Sequence, residues 1–210
     1  MGILSKSVSF CRYIVQGELP GDFLSWVDAR LQKYLFMDID DTAQEKSVGW
    51  VALGNLLETD FQQGVAHQGE YLTFSLRIDT RKVPAALFRK HYLLAEAAQL
   101  RQKNRVMGRA LKAALKETVM QELLRRQMPQ PQLYDVVWRP TPGRLWLFST
   151  SPKVREVFET LFRETFELDL YLLFPYTLAQ SQLTSESAFD ALELLSPSLG
   201  TPIQSGGQDD

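Results

Sequence analysis

The chain holds one cysteine, Cys11, so neither an intrachain disulfide nor a cysteine-based zinc site can form. That usage fits a reducing compartment. Histidine is scarce as well, with only His67 and His91, far apart in sequence. No apolar run approaches the ~18 residues of a membrane span. Residues 1 to 9 carry one lysine and no apolar core of signal-peptide length. Gly2 does not open a myristoylation pattern, because Lys6 stands where Ser or Thr is wanted. The expectation is a soluble, intracellular protein. Catalytic signatures are missing too: there is no Gly-x-x-x-x-Gly-Lys phosphate loop, no Gly-x-Gly-x-x-Gly and no Gly-x-Ser-x-Gly elbow.

What is present is an uneven distribution of charge. The formal net charge is −2 over 210 residues, which taken whole argues against a nucleic-acid binder. Divided by region, residues 1 to 76 hold 5 basic and 10 acidic side chains, a net of −5. Residues 77 to 126 hold 13 basic and 4 acidic, a net of +9. Residues 127 to 210 hold 5 basic and 11 acidic, a net of −6. One stretch of fifty residues is strongly basic inside an acidic chain.

Patterning places that stretch on helices. Residues 7 to 17 alternate polar and apolar side chains and read as a strand. Pro20, Gly21 and Asp22 open a helix with Phe23, Trp26, Val27, Leu31, Tyr34 and Leu35 on its buried face. A loop over residues 38 to 42 leads to an apolar segment at 48 to 53. The next strand puts Tyr71, Thr73, Ser75 and Arg77 on one face and Leu72, Phe74, Leu76 and Ile78 on the other. Pro84 starts two helices, roughly 84 to 103 and 108 to 127, interrupted near Gly108. A β-hairpin follows over 133 to 139 and 145 to 150, turning at Pro140 to Gly143. Ser151 and Pro152 begin a helix with Val154, Val157, Phe158, Leu161, Phe162 and Phe166 on one stripe, and 168 to 176 is a final strand.

The predicted class is α+β: two small α/β sheet units, β-α-β-β and β-β-α-β, separated by a long basic helical hairpin. Residues 1 to 179 form the domain and 84 to 127 its basic arm. Residues 180 to 210 are a low-complexity tail, with one short amphipathic helix possible over 185 to 195 and Ser196 to Asp210 reading as disordered.

On the second basic helix Arg105, Arg109, Lys112 and Lys116 are spaced to share a face, opposite Leu111, Leu115, Val119 and Leu123. Arg101 and Lys103 extend the charge, and Arg77, Arg81, Lys82, Arg89 and Lys90 add to it at the start of the region. These eleven cations are the candidate DNA-facing residues. Nothing resembles a helix-turn-helix, zinc finger or RNP motif, so backbone electrostatics would dominate and sequence preference would be slight. The acidic cluster Asp38, Asp40 and Asp41 is the one arrangement that invites Mg²⁺, and its simpler reading is a structure-breaking loop. His91 reads as a surface or packing residue, and Cys11 as a small hydrophobe in a strand. No catalytic residue, cofactor or metal is expected.

Five segments in order resemble the recombination-associated RdgC family. They are Asp38-Ile-Asp-Asp-Thr42 with Gly49-Trp50-Val51; Leu76-Arg-Ile-Asp-Thr-Arg-Lys-Val-Pro84; Pro129-Gln-Pro-Gln-Leu-Tyr-Asp-Val-Val-Trp138; and Pro175-Tyr-Thr-Leu-Ala179. The likeness spans about residues 1 to 179 and is closest to the short members of the family. It implies a cytoplasmic, nucleoid-associated, non-enzymatic protein that binds double-stranded DNA and modulates recombination as a homodimer. Long members form a ring-shaped dimer with a positive central hole and are thought to limit access of RecA to DNA. An older exonuclease label for the family finds no residues here to support it. The alternative reading is a protein-interaction module whose basic arm docks an acidic partner or mediates self-association.

Overall fold

Alternating side chains build seven strands, and those strands pair into one sheet. The computed structural model describes residues 2–3, 5–57, 59–103, 107–180 and 182–195, with all side chains among them except those of Gln63, Gln102 and Lys103. In chain order the elements are β1 (Cys11–Gln16), α1 (Phe23–Lys33), β2 (Lys46–Ala52), the two-residue β3 (His67–Gln68) and β4 (Tyr71–Thr80). The helices α2 (Ala85–Lys103) and α3 (Arg109–Arg126) come next. They are followed by β5 (Gln130–Arg139), β6 (Arg144–Leu147), α4 (Pro152–Phe166) and β7 (Asp169–Leu173). Two short helices, α5 (Pro175–Gln180) and α6 (Glu186–Glu193), complete the described chain.

The α+β class holds, but the two expected sheet units are interleaved in a single sheet in the order β2-β4-β5-β6-β1-β7, with β3 also on β4 and with β1 of the first unit inserted between β6 and β7 of the second. The longest pairing that joins them is the antiparallel one of β4 with β5, continuous from Leu72↔Trp138 to Thr80↔Gln130. The helical hairpin is therefore the connection of one long β-hairpin rather than a spacer between two domains. Local sequence patterns do not report a pairing between strands fifty residues apart.

One face of the sheet carries α1 and α4 and an aromatic core. Val154, Phe158, Leu161, Phe162, Thr165 and Phe166 are buried on α4, and Val27 and Leu31 on α1. Phe166 meets five rings: Phe162 at 4.7 Å, Trp138 at 5.2 Å, Trp26 at 5.7 Å, Phe74 at 6.2 Å and Trp50 at 6.4 Å. The indole Nε1 of Trp50 donates to Thr165 Oγ1 at 2.8 Å, so the polar edge of that buried ring is satisfied. The other face is more polar. There the Ser75 hydroxyl donates to Asp135 Oδ1 at 2.8 Å, and Asp135 Oδ2 accepts the Ile3 N–H at 2.8 Å.

Several element ends differ from expectation: β1 begins at Cys11 rather than at residue 7, and β6 ends at Leu147 rather than at 150. Helix α1 stops at Lys33 because residues 34 to 36 run extended against β2: Trp50 N–H donates to Tyr34 O and Phe36 N–H to Trp50 O, each at 3.0 Å. Gly49 permits this approach, since a Cβ there would collide with the Phe36 backbone. The last strand ends at Leu173 rather than 176, because Pro175 instead opens α5. Contacts divide the chain into two compact units, Met1–Tyr171 and Leu172–Asp210. The sequence boundary at 179 falls inside α5, and the short helix read over 185 to 195 is α6. Ser196 to Asp210 lie outside the described residues.

The root of the arm is tied down by arginine. Arg81, one residue past β4, is 4% exposed, and its guanidinium donates to the carbonyls of Ile39 and Asp40 at 2.8 Å each and to that of Thr42. Its own N–H donates to Glu45 O at 2.8 Å. The loop after α1 thus grips the point where β4 hands over to α2.

Phe166→Ala should cost about 3–5 kcal/mol of unfolding free energy, read from urea denaturation followed by far-UV circular dichroism. Arg81→Met should cost about 1–3 kcal/mol by leaving buried carbonyls unpaired. Amide exchange should then rise first over residues 38 to 45, and unchanged exchange there would contradict the clamp.

Candidate nucleic-acid interface

Fifty residues of basic chain need a core of their own if they are to stand as a hairpin. They have a small one. Met107, Leu115, Val119 and Leu123 are buried together and packed against Val83, Leu87, Phe88, Tyr92 and Ala95. The helical periodicity read on α3 accounts for Leu115, Val119 and Leu123, whereas Leu111 lies 38% exposed. Polar contacts reinforce the seam. Lys112 Nζ pairs with Glu96 Oε1 at 3.0 Å, and this hydrogen bond raises the ammonium pKa above its ordinary value. Lys116 Nζ lies 5.7 Å from the centre of the Tyr92 ring, and the Tyr92 hydroxyl donates to Glu96 at 3.3 Å.

The nine candidate cations whose side chains are described divide into three groups. Arg77 and Arg81 do not belong to an external surface, which corrects the expectation for both. Arg77 forks onto Asp79 at 2.9 and 2.7 Å, donates to Leu56 O at 2.8 Å and stacks 3.9 Å from the Phe36 ring centre. Its pKa is raised, first by the Asp79 hydrogen bond. Arg81 holds the loop described above. Arg77 is half-buried within β4 and Arg81 is buried one residue past its end, and a guanidinium so placed demands hydrogen-bond partners.

Lys112 and Lys116 are exposed but are engaged with α2. Lys82, Arg89, Lys90, Arg101 and Arg109 are exposed and carry no ion pair among the described residues. The side chain of Lys103, and Arg105 as a whole, lie outside the described residues. The row expected from Arg105 to Lys116 is thus met in part by Arg109, with two of its members turned to internal contacts.

Sequence reasoning passed over Arg125 and Arg126, both exposed in the last turn of α3. Cations there complement the helix dipole, an ordinary reason for their presence that hid their contribution to the arm's charge. Arg109 is the opposite case. It stands at the first position of α3, where no acidic residue occupies the first turn and a cation opposes the dipole. Helix stability does not account for Arg109. At ~1.5 Å per residue α3 spans ~27 Å, long enough to face several phosphates.

The acidic loop is closed upon itself. Asp38 Oδ1 accepts the Asp40 N–H at 2.7 Å and the Thr42 hydroxyl donates to Ile39 O at 2.9 Å, while Arg81 takes up the loop carbonyls. Among the described residues no group of three or more His, Cys, Asp or Glu side chains is placed to hold a metal ion. His91 is half-buried and lines a cleft between α2 and α3 with Leu94, Val119 and Leu123. Cys11 is half-buried on β1, with its thiol pKa raised by burial. No helix among the described residues is long and apolar enough to cross a membrane.

No curated protein matches the chain. The family model described as "Putative exonuclease, RdgC" matches residues 15–185, which include every strand but most of β1, together with the arm and α4. With the match covering most of its length, the chain belongs to the RdgC family.

Proposed function

We propose that the protein is a non-enzymatic, largely sequence-independent binder of double-stranded DNA that modulates recombination, with α2 and α3 as its contact surface. Family membership supports a recombination-related DNA-binding role. The observation that carries the assignment of the surface is the arm itself. It has its own apolar core and turns six cations outward, Arg89, Lys90, Arg101, Arg109, Arg125 and Arg126, with Lys82 beside its root, and none of the seven forms an ion pair among the described residues. A helical surface of this kind reads phosphates rather than base edges. The acidic remainder of the chain, net −3 over residues 1 to 83 and −6 over residues 128 to 210, is repelled by the same polyanion, which leaves the arm as the favoured contact.

On this reading the protein acts as a homodimer in the cytoplasm, associated with the nucleoid, and competes with RecA for duplex. A second reading draws on the arm's exposed leucines. Leu93, Leu94 and Leu100 are 52%, 59% and 41% exposed on α2, which favours self-association through the arm.

Mobility shift and anisotropy on a mixed-sequence duplex should show log K falling linearly with log salt, with a slope between about −3.6 and −6.3 for four to seven neutralised phosphates. Replacing Arg89, Lys90, Arg101 and Arg109 by Glu should remove binding to any duplex sequence, while Arg77→Gln should leave the salt slope unchanged. Normal binding by the fourfold variant would refute the arm. Incubation of linear duplex with Mg²⁺ and excess protein should leave the DNA intact, and cleavage lost in Asp40→Ala would refute the non-enzymatic reading. Size measurement with and without duplex distinguishes the second reading, which expects a dimer indifferent to DNA and disrupted by Leu93→Ser with Leu94→Ser.

A further inference from the structure

Three acids stand among the 10 basic side chains of residues 84 to 127: Glu96, Glu117 and Glu122. Two of them have ordinary surroundings. Glu117 accepts a hydrogen bond from Gln121 Nε2 at 2.8 Å on the exposed side of α3, and Glu122 lines the cleft with His91 and Arg126. Glu96 differs. Its side chain is 19% exposed and takes two donors at once, Lys112 Nζ at 3.0 Å and the Tyr92 hydroxyl at 3.3 Å. Lys116 Nζ lies 5.7 Å from the centre of the Tyr92 ring, which brings a second ammonium to the same part of the seam.

Helical spacing extends this corner into a face. Arg89, Tyr92 and Glu96 stand 3 and 4 residues apart on α2, and Arg109, Lys112 and Lys116 stand 3 and 4 apart on α3, so each trio shares a side of its helix. The contacts of Lys112 and Lys116 across the seam turn the two sides the same way. Of the six side chains Glu96 alone is acidic. Stability of the hairpin does not require it there. The seam already has an apolar core in Met107, Leu115, Val119 and Leu123, and an ion pair whose lysine is 46% exposed adds little to it. The donors gathered around Glu96, an ammonium and a hydroxyl with a second ammonium nearby, hold a phosphate oxygen by the same charge-assisted hydrogen bonds that hold a carboxylate.

We infer that Glu96 occupies a backbone-phosphate site in the free protein and that duplex displaces it, transferring Lys112 and the Tyr92 hydroxyl from the carboxylate to a phosphodiester. Lysine and phenol keep their protons throughout, so the exchange swaps one anion for another. The inference rests on the reading of the arm as the duplex contact and deepens it: two lysines held by α2 become ligands that only DNA releases. While the arm is free, one carboxylate at the centre of the basic face lowers its self-repulsion.

The test is duplex anisotropy on the full chain across a salt series, with thermal unfolding to check that each variant is folded. Glu96→Gln should bind duplex at least about threefold more tightly than wild type. That gain should vanish when Lys112→Ala is added, because it comes from releasing the lysine rather than from removing a charge. Glu117→Gln removes the same charge from an exposed, screened position and should change affinity by less than about twofold. Lys112→Ala alone should reduce the magnitude of the salt slope by about 0.9, which a purely structural ion pair would leave unchanged. This arm of the test reports even if Glu96→Gln folds poorly. Millimolar inorganic phosphate at fixed ionic strength should leave duplex binding by Glu96→Gln intact, and competition would overturn the assignment to a DNA phosphate. Wild-type affinity in Glu96→Gln, a gain that survives Lys112→Ala, an equal gain in Glu117→Gln, or an unchanged slope in Lys112→Ala would overturn the exchange and leave the arm reading standing. Absence of duplex binding by wild-type protein at low salt would remove both.

Discussion

The pairing of β4 with β5 is the constraint from which the rest follows. Nine consecutive register pairs, from Leu72↔Trp138 to Thr80↔Gln130, hold the two strands side by side. Whatever lies between Thr80 and Gln130 must leave and return within the ~5 Å that separates paired Cα atoms. A single helix cannot do this. Two antiparallel helices of similar length can, and α2 and α3 run 19 and 18 residues. Arg81 fixes the departure point by bonding three loop carbonyls, so the arm starts from a rigid root.

Beyond that root the arm depends on its own small core. Four buried side chains and their partly buried partners must hold together a hairpin of net charge +7 over residues 84 to 127, where 10 basic side chains face 3 acidic ones. Self-repulsion works against so compact a basic hairpin. Lys112 on Glu96 and Lys116 over Tyr92 relieve part of it across the seam. The cations without such partners raise the free energy of the isolated arm, and a polyanion would lower it. Arg109, opposing the dipole of its own helix, belongs to this group. The arm is therefore a place where stability is given up for charge, the usual mark of a functional surface.

Much of this was legible in the residues. The alternation of polar and apolar side chains in β1 and β4, the 3.6-residue stripe of α4, and the Pro84 and Gly108 punctuation of the arm each have a local cause, and each element lies where its cause places it. The regional charge and the family resemblance were equally visible. The single sheet was not, because strand partners fifty residues apart leave no local trace. Nor could sequence separate Arg77 and Arg81 from Arg89 and Lys90. All four are cations in one basic stretch, and only the tertiary partners of the first two, Asp79 beside Arg77 and the loop carbonyls around Arg81, distinguish an internal arginine from an external one.

The account's central claim, that the arm is the duplex contact, is tested most directly by hydrogen exchange on the full chain with and without a 20-bp duplex. Slower exchange over residues 85–103 and 109–126, with residues 11–16, 144–147 and 152–166 unchanged, is the predicted result. Protection of the sheet or of α4, with the arm exchanging as in free protein, would contradict it.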